Sequence, residues 1–130
     1  MPVPVTAMYT GLLALVGLAL QQGVGRERLR SGVSLGDGGQ PALVVAMRRQ
    51  ANFVEQVPLA LLLLAIIELG GAPSAWLHTL GATLLVARIV HPFGLEYERM
   101  RRVPRLVGAV GTLLVVLGAA LTAIWQGVNA

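Results

Sequence analysis

At 130 residues, with 55% hydrophobic and 12% charged side chains and a mean hydropathy of +0.73, the chain has the length of one domain, residues 1–130, and is too apolar for a soluble one. A soluble fold this small cannot bury so much apolar surface, whereas lipid can act as the remaining solvent. The net charge of +4 comes from arginines in short polar stretches without interleaved aromatics, which excludes a nucleic-acid stacking surface, and the absence of cysteine excludes disulfides, thiolate metal sites and a cysteine nucleophile.

The first apolar run, roughly Val3 to Gly23, has no basic residue before it and so lacks the n-region of a secretory signal. At about 20 residues it can span a ~30 Å hydrocarbon core and reads as a retained first helix. A polar connector, Val24 to Gln40, carries Arg26, Glu27, Arg28 and Arg30 before a Gly-rich turn at Gly36-Asp37-Gly38-Gly39. Pro41 then opens a second helix that runs to about Leu69, where its missing N–H costs nothing. That helix is ~43 Å long at ~1.5 Å per residue, so it must tilt or project into the headgroups, with Pro58 predicted to kink it.

Gly70-Gly71-Ala72-Pro73 is a tight turn without basic residues, followed by a third helix from Ser74 to about Phe93. A second basic connector holds Glu96, Glu98, Arg99, Arg101, Arg102 and Arg105. The fourth helix, about Val103 to Gln126, carries Gly108, Gly111 and Gly118, small residues that let helices approach closely. The expected fold is therefore all-α: an integral membrane four-helix bundle. All the arginines fall in or beside the first and third connectors, so the positive-inside rule puts both in the cytoplasm and both termini outside. Trp76 and Trp125 fall near the opposite face, as interfacial anchors do. His78 and His91 sit at opposite ends of the third helix, so no metal site is expected.

Polar groups inside a spanning segment are costly, which makes them functional candidates. On the second helix, Arg48, Asn52 and Glu55 lie at about 0°, 40° and −20° at 100° per residue, one narrow stripe that Leu59, Leu62 and Ile66 continue. Such a surface suits an amphiphilic guest: Arg offers a fork for a carboxylate, Asn a donor and an acceptor, and Glu a seat for an ammonium. The same residues also fit a self-neutralising network between helices, in which Arg48 and Glu55, two turns apart, meet only through Asn52 or a neighbouring helix. On the third helix Arg88, His91 and Leu95 share a face. Arg102 joins it only if that helix continues past Pro92 and Gly94, and Glu55 is the carboxylate available to Arg88. Glu68 and His78 flank the outer turn and read as structural.

The run Arg48-Arg49-Gln50-Ala51-Asn52-Phe53-Val54-Glu55-Gln56-Val57-Pro58 resembles the signature of the MAPEG family, membrane-associated proteins in eicosanoid and glutathione metabolism. Val33 to Gly39, Gly81, Ala87 to His91 and Gly94-Leu95 are similar to the bacterial inner-membrane members. The resemblance extends over essentially the whole chain. It implies a homotrimer that binds glutathione as cosubstrate between subunits near the cytoplasmic face, in a bacterial inner membrane, with a lipophilic electrophile or hydroperoxide arriving from the lipid. Matched by position, Arg48, Asn52 and Glu55 are implied glutathione contacts, with Gln56, Arg88 and His91 around them. Arg102 and Arg26 fall near thiolate-stabilising and first-connector arginines of the family, each across an alignment gap. Gln56 stands where the family usually has Tyr, and His91 and Leu95 stand where eukaryotic synthases have two more tyrosines.

The implied activity is a glutathione-dependent transferase or peroxidase. A non-catalytic binding or scaffold protein of the same fold is the alternative that the replaced tyrosines favour. A small multidrug-type transporter matches in size but uses an acidic residue in the first helix, whose apolar run here offers only Thr6, Thr10, Gln21 and Gln22.

Overall fold

A computed structural model describes residues 1–99 and 102–130. Its four helices are α1 (Pro4–Ser31), α2 (Pro41–Leu69), α3 (Ser74–Val90) and α4 (Arg102–Val128), with a 3-10 turn at His91–Gly94 closing α3. Arg101, counted above in the second basic connector, lies outside the described residues. α1, α2 and α4 are long and apolar enough to cross a membrane. α3 has 17 residues, ~25 Å, and the 3-10 turn lengthens its path by several ångströms.

The main departure from expectation is at the end of α1. The helix continues two turns past Gly23, so Arg26, Glu27, Arg28 and Arg30 are helical rather than part of a connector. Arg and Glu are good helix formers, and Glu27 bonds Arg30 one turn on at 3.0 Å. The chain turns only at Gly32, which takes the left-handed φ of 71° that favours glycine. The Arg28 guanidinium then donates to the Val33 and Gly36 carbonyls and fixes the start of the loop. α3 ends sooner than expected. The helix closes at Val90: the His91 amide still donates to the Ala87 carbonyl, but Pro92 has no N–H to continue the pattern.

In cross-section α1 packs against α2 and α3, and α4 packs against α3 and α2, so that α2 and α3 lie across the diagonal and touch little. The core is apolar: Tyr9 and Leu13 of α1, Val57, Ala60, Leu64 and Ile67 of α2, Leu77, Leu80 and Leu84 of α3, and Val115 and Ala119 of α4. Two glycines set helix spacing. A methyl at Gly81 would run into the Tyr9 ring, and one at Gly108 would strike His91 and the Ala87 carbonyl. On the outside, Leu15, Leu18, Leu62, Val86, Leu113, Leu114, Leu121 and Ile124 are all more than half exposed. An apolar surface spread over every helix is what a lipid-facing bundle presents.

The two ends of the bundle differ sharply. At one end the Glu68 carboxylate accepts the Val5 and Thr6 amides at 2.9 and 2.7 Å, capping α1 from α2. Beside it, the Tyr9 hydroxyl lies 3.3 Å from His78 Nδ1, Trp76 donates to the Thr122 hydroxyl, and Gln126 donates to the Ile67 carbonyl. No arginine is found at this end among the described residues. All nine described arginines lie at the other end, formed by the close of α1, the start of α2, the close of α3 and the start of α4.

Candidate functional site

At the arginine-rich end, α2 presents Arg48, Asn52 and Glu55 along one face. This is the stripe expected from the i, i+4, i+7 spacing. Arg48 and Glu55 were expected to meet only through an intermediary. Instead their side chains bend along the helix and reach each other directly, Nη1 to Oε1 at 3.8 Å. Both side chains are more than half exposed. A long, open ion pair of this kind contributes little to stability and is easily exchanged for a ligand.

Arg88 does not pair with Glu55. Its guanidinium turns inward, only 2% exposed, and donates to Asn52 Oδ1 at 2.8 Å and to the Gly108 carbonyl at 2.9 Å. Glycine at position 108 makes room for α3 to lie this close, and the same carbonyl accepts the Thr112 hydroxyl at 2.8 Å. The bond settles the orientation of Asn52. Arginine has only donors, so the amide atom facing it is the oxygen. The NH2 group is then what Asn52 can offer to a molecule beside it.

Two hollows adjoin this face. One, about 280 Å³, is polar and lies between α2, the 3-10 turn and α4; Arg48, Asn52, His91, Tyr97 and Arg105 are among its lining residues. The other, also about 280 Å³, runs deeper between α2 and α4 past Glu55, Gln56, Leu59, Arg88, Thr112 and Leu113. They share Asn52 and His91. Singly each is at the lower edge of a small-molecule pocket, about 300 Å³; the first is charged and the second has an apolar floor.

Six sequence candidates, Arg48, Asn52, Glu55, Gln56, Arg88 and His91, thus line two hollows that adjoin at Asn52 and His91. The other two lie elsewhere. Arg102 is the exposed first residue of α4, because α3 does not continue past Pro92 and Gly94 to carry it onto the Arg88 face. Arg26 lines a separate cleft between α1 and α2. The cleft's further cation is Arg105, which was read only as part of a basic connector. Its spacing to Gly108 and Thr112, three and then four residues, is the helical signal that identifies it. Tyr97 supplies a phenol from the connector, where no periodicity marks it.

Residues 6–125 match the MAPEG family. The chain is 33% identical over 121 residues to the inner membrane protein YecN of Escherichia coli (strain K12), covering 93% of this chain and 91% of that one. It is 30% identical over 122 residues to the protein sll1147 of Synechocystis sp., covering 92% and 88%. No solved structure matches it.

Proposed function

The chain belongs to the MAPEG family, and on that premise we propose that its cleft binds glutathione and presents the thiol to lipophilic electrophiles or hydroperoxides. The observation that carries this reading is the graded cleft: Arg48, Asn52 and Glu55 at a charged mouth that opens onto Leu59, Leu113 and Val116. The donor set fits the tripeptide. Arg48 suits a carboxylate, Glu55 suits its ammonium, and the Asn52 NH2 suits a peptide carbonyl. A thiol near pKa 8.5 is mostly protonated at neutral pH, so a cation beside it raises the thiolate fraction. Arg105 is the cation already in the cleft. Arg102 and Arg26 are the cations the family resemblance suggests, and a neighbouring subunit of a homotrimer is the route by which they would reach it.

In conjugation the sulfur forms a bond to the electrophilic carbon, the leaving group takes the bonding pair, and the thiol proton passes to water or to His91. The apolar floor holds the lipophilic partner and keeps bulk water from it. In the same reading the arginine-rich end faces the cytoplasm of a bacterial inner membrane, and both termini lie outside.

Calorimetry of the detergent-solubilised protein with glutathione tests the proposal. Wild type binds, and Arg48→Ala and Glu55→Ala each weaken binding about ten-fold or more; absence of wild-type binding, or unchanged affinity in both variants, sinks it. A second reading, binding without turnover, is favoured by Gln56, His91 and Leu95 standing at the family's tyrosine positions. Under it, conjugation of a general electrophile stays at the uncatalysed rate while glutathione still binds.

A further inference from the structure

A polar side chain without a protein partner sits where the two hollows of the site adjoin. His91 is 6% exposed, and none of the described residues hydrogen-bonds its ring, yet it lines both the charged hollow and the deeper one. Burying an imidazole without such a bond is unfavourable, which marks the ring as a partner for something that enters the site. Its position is fixed from two sides. The His91 amide donates to the Ala87 carbonyl at the close of α3, and its Cβ lies against Gly108 of α4, where a methyl would displace it. Pro92 follows directly and holds the chain in the 3-10 turn. A group held in this way meets a ligand without first having to be ordered.

With the peptide in the charged hollow and the electrophile in the apolar one, the thiol has to stand where the two adjoin. Asn52 and His91 are the residues common to both. Asn52 does not ionise, and its oxygen is held by Arg88 at 2.8 Å. The imidazole is therefore the group at the junction that can take a proton and give it back near neutral pH. The charged and titratable groups around it are Arg48 and Glu55 of α2, Arg88 of α3, Glu96 and Tyr97 of the connector, and Arg105 of α4. Cations outnumber carboxylates in this set. An imidazolium is accommodated best when an anion forms beside it, and the thiolate left by the same proton is that anion.

Resting on the glutathione reading, we propose that His91 is the acid–base residue of the site. It takes the thiol proton as glutathione binds and returns it to an electrophile that must gain one, an α,β-unsaturated carbonyl compound with an apolar tail. In the first step the S–H bond breaks, its electron pair stays on sulfur, and the proton bonds an imidazole nitrogen. In the second, sulfur bonds the β-carbon, the C=C pair moves toward the carbonyl oxygen, and the imidazolium proton ends on the α-carbon. The product is the saturated thioether, His91 is neutral again, and no other reactant is consumed.

Calorimetry of glutathione binding to the full chain at neutral pH, in two buffers of different ionisation enthalpy, counts the protons released. The ultraviolet band of the thiolate reports ionisation of the bound thiol. Wild type should show that band with almost no proton released, because the proton stays on His91. His91→Gln should still bind glutathione, since Arg48, Asn52 and Glu55 remain, but should lose the band. The other histidine, His78, lies at the far end of the bundle beside Tyr9, and His78→Gln should leave both signals unchanged. With an apolar enal as electrophile, His91→Gln should lower kcat/KM about 100-fold, against about ten-fold or less with an aryl halide, whose leaving group needs no proton. In wild type, a missing band or a full proton released with it overturns the proposal, and these readings decide the matter if circular dichroism shows that His91→Gln does not fold. An unchanged band in a folded His91→Gln overturns it as well. Equal losses with the two electrophiles, or no wild-type turnover of the enal, overturn the return of the proton. Absence of glutathione binding by wild type is a different failure, because it removes the glutathione reading and this inference with it.

Discussion

Replacing Asn52 by leucine should destabilise this protein more than replacing Arg88 by methionine, although the arginine is larger and makes more bonds. Arg88 is 2% exposed, donates to Asn52 Oδ1 and the Gly108 carbonyl, and has a buried Nε without a partner among the described residues. Asn52→Leu keeps the buried charge and removes one of its two acceptors. Stranding part of a buried cation in this way costs about 3 kcal/mol. Arg88→Met removes the cation together with its desolvation cost. The Gly108 carbonyl keeps the Thr112 hydroxyl, and Asn52, which borders the cleft, can hydrate its freed oxygen. The net loss should then be only about 1 kcal/mol, since an apolar residue of similar length fills the space. The double variant should resemble Arg88→Met alone, a coupling of about 3 kcal/mol between the two positions. Thermal unfolding in detergent micelles, followed by circular dichroism, reads the order of the four proteins. The reasoning fails if Arg88→Met is the less stable single variant, or if the two losses simply add.

The remaining predictions test the two ends of the bundle and the cation of the cleft. Gly108→Ala drives a methyl into His91 and the backbone of α3, and should cost about 1–3 kcal/mol in the same melting assay while disturbing the cleft. Glu68→Ala removes the acceptor of the Val5 and Thr6 amides, and should cost about 1 kcal/mol; amide hydrogen exchange should rise at the start of α1 and not at its end. If the wild type conjugates, Arg105→Gln should lower kcat/KM at least ten-fold and move the alkaline rise of its pH profile upward, because the thiolate loses its cation. A matching effect in Arg102→Gln with none in Arg105→Gln would return the thiol-activating role to the residue the family resemblance suggests.

Much of this protein could be read before its fold was known. Apolar runs near the length of a bilayer are a local property of sequence, so the number of helices and the extent of α2 followed directly, as did the collection of arginine at one end. The Arg48, Asn52 and Glu55 stripe was equally legible, because one helix alone decides which of its residues share a face. One error was local, and another arose where a second element had to be supplied. The length of α1 was underestimated because charge was taken to end the helix, whereas helix-forming charged residues continue it until Gly32 adopts its left-handed φ. Arg88 was matched to Glu55 by opposite charge. Only packing shows that Gly108 lets α3 approach α4 and gives the guanidinium a carbonyl there and an amide on α2.

The one-sided charge with which the sequence first distinguishes itself is therefore composed of groups that differ in position. Arg48 and Arg105 border the graded cleft, Arg88 is buried behind it, and Arg26 and Arg49 border the cleft between α1 and α2. Sequence determined that these residues share one end of a membrane bundle, since hydropathy and charge act residue by residue. Tertiary structure alone decided which cleft each one faces, since that depends on how closely neighbouring helices approach and on which carbonyls and amides they leave within reach.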